Sequence, residues 1–171
     1  ADVADNPGGG GRGNTSWILS AFDQARVPNV VLGIFIDPEL AAHAHALCVG
    51  AEFEAVFNRT ESEYSRRYTA RARILCLRDG EQLGRRGLYR DKKFSLGASA
   101  LIELAGSGMR VVVGSLRRQL ADPVMIEMHG IDIATVGCLV VKSRGHYRAG
   151  FDEFSSDDRL HAVYSPGLTT T

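Results

Sequence analysis

Two short stretches hold most of the groups from which chemistry could be built. The first is Asp5-Asn6-Pro7-Gly8-Gly9-Gly10-Gly11-Arg12-Gly13-Asn14, in which five of the six residues from Gly8 to Gly13 are glycine. A backbone without side chains can approach another group closely and turn several N–H groups one way, which suits a carboxylate, a phosphate or a polarised carbonyl. A helix starting just beyond it adds partial positive charge. The second is Lys142-Ser143-Arg144-Gly145-His146-Tyr147-Arg148, a polar run directly after the apolar segment Val136 to Val141. In α/β sheets the carboxyl end of a strand is where ligands commonly bind.

Other constellations are weaker. Gly8, Gly10 and Gly13 satisfy G-x-G-x-x-G and Asp37 stands where a ribose-binding acid would, but only six residues precede Pro7, which leaves a feeding strand little room. No Gly-Lys-Ser/Thr closes the loop as a Walker motif requires. His43 and His45, two apart on an expected helix, point in different directions and make no natural metal pair. His129 and His161 are isolated, and neither H-E-x-x-H nor G-x-S-x-G occurs. Cys48, Cys76 and Cys138 form no C-x-x-C motif, which fits buried thiols in a reducing, cytoplasmic compartment.

The elements that must position these groups follow from periodicity. Asn14 to Ala25 offers a cap and then Trp17, Ile18, Leu19, Phe22 and Ala25 at helical spacing. Asn29 to Ile36 is apolar on both faces, as a buried strand would be. Asp37-Pro38 opens a helix to Leu47, with Asp37 as cap and proline where its missing N–H costs nothing. From Arg67 to Ile74 the period is two, and Asp79-Gly80 signals a hairpin. Strands are expected at 98–104 and 109–114 around a tight turn, a short helix after Asp122-Pro123, a strand at 136–141, a helix from Arg148 and a last strand at 160–164. The expectation is one α/β domain with a mixed sheet and short helices.

The chain has 171 residues with 20 basic and 20 acidic side chains, so net charge alone brings it to no polyanion. Between Arg59 and Lys93 there are 11 basic and 5 acidic residues, but alternation explains much of this as the wet face of strands, and no nucleic-acid partner is expected. The longest apolar run, Val30 to Ile36, falls far short of a membrane span. A chain that opens on Ala1 is expected to be a processed product or a domain of a longer polypeptide.

Taken in order, several strings resemble the C-terminal domain of the MlrC-like (microcystinase C-like) metallopeptidases across nearly the whole chain, residues 1–171. They are Asp5-Asn6-Pro7-Gly8-Gly9-Gly10, Ile36-Asp37-Pro38, Asp79-Gly80, Leu96-Gly97, Ser115 to Arg118 leading to Asp122-Pro123, and Gly130-Ile131-Asp132. Val140-Val141-Lys142-Ser143, His146-Tyr147-Arg148-Ala149, Phe151 and Pro166-Gly167-Leu168 continue the match. The resemblance implies the C-terminal half of a two-domain zinc hydrolase that cuts amide bonds, known in the family for opening linear microcystin fragments. Zinc and the catalytic acid would belong to an N-terminal domain, so this chain alone would bind no metal and would be inactive. Asp5, Asn6, Gly8, Gly9, Gly10, Lys142, Ser143, His146 and Arg148 would hold the peptide or amide substrate; catalytic residues stay unassigned. Departures from the pattern are Asn14 for a common acid, Tyr147 for Phe, and Arg144-Gly145. The alternative is a non-catalytic binding module whose glycine loop holds an anionic small molecule or nucleotide. Self-association is left open.

Overall fold

In a computed structural model, residues 1–169 are described. The strands are β1 (Val30–Ile36), β2 (Glu52–Phe57), β3 (Tyr68–Arg78), β4 (Glu81–Leu83), β5 (Lys93–Ser95), β6 (Ser99–Leu104), β7 (Arg110–Gly114) and β8 (Cys138–Val141). The helices are α1 (Trp17–Gln24), α2 (Pro38–Ala46), α3 (Val124–Glu127) and α4 (Arg148–Phe151). Six strands form one sheet in the order β2-β3-β6-β7-β1-β8, and β4 pairs with β5 separately. Strand β1 runs parallel to β7 and β8, whereas β6, β3 and β2 continue antiparallel, so the sheet is mixed, as expected.

Every residue of β1 is buried, as its apolar sequence requires of a strand covered on both faces. One face packs Leu32 and Phe35 with Leu19 of α1 and Leu40 and Ala44 of α2. The other packs Val31 and Ile34 with Leu120, Met125 and Ile126, then Tyr147 and Phe151. The register slips between Leu32 and Phe35, so these two residues, three apart, share a face. Gly33 allows α3 to close on the sheet, because a Cβ there would stand 2.7 Å from Ile126 Cδ1. Asp37 caps α2, its Oδ1 accepting from Leu40 N at 2.9 Å, while its Oδ2 accepts from Asn58 N at 2.9 Å.

Two sequence expectations change. Asp79-Gly80 turns the chain, with Gly80 at φ +79°, but closes no hairpin. Both edges of β3 are already taken by β2 and β6, so the turn passes the chain to the small second sheet. Residues 160–164 make no strand; a single parallel bridge joins Asp2 to Val163, and residues 161–164 are all exposed, so no alternating face is buried. Strand β2, which carries no strong sequence pattern, forms at the edge with Glu52 and Glu54 outward and Ala55 and Phe57 inward.

The parallel half fixes where the polar segments gather. β1 and β7 end together at Ile36 and Gly114, β8 ends at Val141 beside Gly33, and Asp37, the stretch 115–119 and Lys142-Ser143 all emerge at the carboxyl edge of these parallel strands. The glycine loop reaches the same edge, where Ile36 N donates to Gly13 O at 2.9 Å and Asp37 N to Gly114 O at 3.0 Å.

Candidate functional site

At this edge the Lys142 side chain does not face solvent. It is 1% exposed, and its ammonium donates to Asp2 Oδ2 (3.0 Å), Asp5 Oδ2 (2.9 Å), Thr15 O (2.9 Å) and Thr15 Oγ1 (3.0 Å). Asp5 also accepts from Gly13 N and Thr15 N, both at 2.7 Å, and Asp2 accepts from Ser165 Oγ at 3.1 Å. Burial pushes the Asp5 carboxyl up, but the Lys142 charge and the hydrogen bonds from Thr15, Lys142 and Gly13 outweigh it and hold the group below its ordinary value. A buried cation facing two carboxylates, with further donors on the carboxylate oxygens, is the arrangement that makes a desolvated ion cluster tolerable. Lys142 and Asp5 thus hold the base of the glycine loop rather than reach outward from it.

Asn6 shapes the loop above that base. Its Oδ1 accepts from Gly8 N at 3.1 Å, and its carbonyl accepts from Gly9 N at 3.0 Å and Gly11 N at 2.9 Å. With Gly13 N bound to Asp5, the amides of Gly8, Gly9, Gly11 and Gly13 are all committed inside the loop. Two glycines are obligatory here. A Cβ on Gly11 would lie 2.7 Å from Asn6 N, and Gly13, at φ +79°, would place one 2.7 Å from Ile36 Cγ1. Gly8, Gly9 and Gly10 form the exposed rim.

The two polar stretches meet through a residue the sequence reading passed over. Gln119, buried in the irregular stretch after β7, presses so closely on Gly8 that a Cβ there would overlap Gln119 Oε1. Its Nε2 donates to Ser143 Oγ at 2.8 Å, and its Oε1 lies 3.3 Å from His146 Nδ1. With Nε2 donating to Ser143, Oε1 is the acceptor, so His146 donates from Nδ1 and turns its other ring nitrogen away from Gln119. Gly8, Ser143, His146 and Gln119 therefore form one polar patch. The signal for Gln119 was its place just past β7 at the shared carboxyl edge, visible only once strand order is known.

Arg148 lies apart from this patch, donating to exposed Asp157 at 2.9 Å and lying over the Tyr147 ring. On the loop's other flank a polar pocket of about 120 Å³ is bounded by Asp5, Arg12, Asn14, Glu63, Tyr64 and Ser65. Asn14, where an acid was expected, accepts from Ser65 Oγ at 2.6 Å. His43 packs edge-on against Phe53 while His45 Nε2 meets Ser99 O at 3.0 Å, so the two diverge as their spacing predicts. Of the thiols only Cys76 and Cys138 are partly covered; Cys48 is exposed, against the expectation, because it lies beyond the last turn of α2. Much of the local basic excess is paired, Arg85 with Glu127 and Glu153, Arg86 with Asp152, and Arg73 with Glu52.

Among the described residues no group of three or more His, Cys, Asp or Glu is arranged to hold a metal ion. Asp2 and Asp5 are already engaged by Lys142, so the described residues do not fit a zinc centre. No helix among the described residues is long and apolar enough to cross a membrane.

The whole chain, residues 1–171, matches the family described as MlrC C-terminus. Among solved structures, one from Mesorhizobium sp. BNC1, described as a "Putative metallopeptidase", superposes with a TM-score of 0.84 at 19% identity. The match covers 99% of this chain and 33% of that one, so the chain spans about a third of that protein's length. No curated protein matches the chain.

Proposed function

Since the chain belongs to the MlrC C-terminus family, we propose that it is the substrate-holding section of a longer zinc-dependent peptidase or amide hydrolase. The metal and the group that activates water are supplied by a domain outside this chain, so residues 1–171 alone are inactive. One observation carries the reading: the exposed glycine rim and the segment after β8 converge on Gln119 at the carboxyl edge of the parallel strands.

The division of labour follows from burial. Asp5, Asn6 and Lys142 are positioning residues that fix the loop. Gly8 to Gly10 offer a wall without side chains, against which an extended peptide can lie. His146, exposed and oriented by Gln119, hydrogen-bonds a substrate carbonyl or carboxylate, Ser143 is buried and holds Gln119 in place, and Arg148 stands outside this first contact. Amide substrates such as linear microcystin fragments, cleaved in the cytoplasm, fit this arrangement.

The test is turnover of linear and cyclic peptides by the full-length polypeptide carrying Gln119→Ala or His146→Ala. Either change should lower kcat/KM about tenfold, and in His146→Ala, whose side chain is exposed, Tm should be little changed. Unaltered kcat/KM on every hydrolysed peptide would remove this patch from the site.

A further inference from the structure

Strand β8 is the last in the sheet order and is paired on one side only, with β1. Along its other side lies a groove of about 680 Å³. One wall is apolar surface of α1, Ile18 and Phe22; the opposite wall is Tyr147, Phe151, Phe154 and Leu160. A slot with a sheet edge as its floor and apolar walls on both faces has the shape of a vacant parallel-strand position, since such strands are buried on both sides.

The ladder for that strand is already begun. Asp2 N donates to Val141 O at 2.8 Å on the β8 side. On the other side Val163 N donates to Ala1 O at 2.7 Å and Val3 N to Val163 O at 3.2 Å, around a parallel bridge from Asp2 to Val163. Residues 1–3 are therefore extended between β8 and 161–163, and beyond Val3 the chain runs into the glycine loop at the carboxyl edge. Traced backward from Ala1, the same path enters the groove. The Ala1 nitrogen donates to His161 O, as a backbone N–H of a strand would, and its burial lowers the amino group's proton affinity.

We propose that the groove is the seat of a further strand, parallel to β8, formed by the four or five residues of the parent polypeptide that lead into Ala1. The number follows from the four residues of β8 at about 3.3 Å each. The inference rests on the reading of this chain as a section of a longer protein, in keeping with the Mesorhizobium protein, of which the match covers 33%. With that strand in place the main sheet has seven strands, and the glycine loop becomes the turn of a strand–loop–helix unit. The incoming strand is apolar on both faces and lacks proline.

Amide hydrogen exchange on the full-length polypeptide, beside residues 1–171 alone, tests this. Leu139 and Val141 amides should exchange at least about 100-fold more slowly in the longer protein, independent of protein concentration. Exchange there at loop rates overturns the strand while leaving the peptidase reading intact. Protection that grows with concentration overturns it in favour of a second copy in the groove. Charged residues or proline immediately upstream of Ala1 also overturn it, and a gene that starts at Ala1 overturns both readings.

Discussion

Replacing Lys142 by Met tests the buried ion cluster that anchors the glycine loop. The substitution keeps an unbranched side chain, one atom shorter, and removes the charge that faces Asp2 and Asp5. Breaking a buried pair by deleting one partner costs about 3 to 5 kcal/mol, because the remaining charges stay desolvated. For a chain of this length that corresponds to a Tm lower by roughly 6 to 20 °C. The pH dependence is the sharper readout. In the native protein the Asp5 carboxyl is held below its ordinary value, so its contribution is present above the unfolded pKa and is lost as pH falls through the lower folded one. Without Lys142 the largest influence opposing burial is gone, and the folded pKa moves up from its native position, with only the hydrogen bonds from Thr15 and Gly13 still holding it down. Asp5 is then protonated at a higher pH in the folded variant than in the native protein, so the variant's deficit relative to the native protein should shrink as pH falls from 7 toward 4. Urea unfolding followed by circular dichroism from pH 4 to 8 measures both profiles. Adding Asp5→Asn should recover part of the loss. Parallel profiles for the two proteins, or a loss below about 1 kcal/mol, would refute the account of the cluster.

Gly13→Ala forces a methyl against Ile36 and an L residue into a φ of +79°, and should cost about 2 to 4 kcal/mol, checked by urea midpoint; a neutral result would mean the loop yields freely. His129 is held neutral, its pKa lowered by burial to about 4. Protonation therefore favours the unfolded state, and about 3 kcal/mol should be lost as pH falls from 6.5 to 4, less in His129→Gln. Among the thiols, exposed Cys48 should react first with a thiol reagent at pH 8, and Cys138, whose pKa burial raises, last; mass spectrometry of the labelled peptides gives the order.

Much of this molecule was legible residue by residue. Strand β1 announced itself because seven consecutive apolar residues leave no wet face, and α2 because Asp37 and Pro38 are local signals that need no tertiary context. The β6–β7 pair was equally visible through its short turn. What failed was what depends on partners far along the chain. Asp79-Gly80 has hairpin chemistry, yet whether it closes a hairpin depends on β6 taking the edge of β3 first. Both polar stretches were recognised as notable, but not that Lys142 would turn inward, since its acidic partners lie about 140 residues earlier. Gln119 was invisible because a lone glutamine has no spacing pattern and gains meaning only from its neighbours Gly8, Ser143 and His146.

The ion cluster has a consequence for when the loop takes shape. Asp2, Asp5 and Thr15 come from the first tenth of the chain, Lys142 and Ser165 from its last fifth, and Thr169 Oγ1 also donates to Val3 O. Contacts this distant in sequence close the longest loops and form late. On the ribosome residues 2–15 emerge well before Lys142 and Ser165, so the glycine ribbon must wait unclasped until those two residues have been made. Truncation of the final residues should therefore disorder the opposite terminus before it disturbs the sheet.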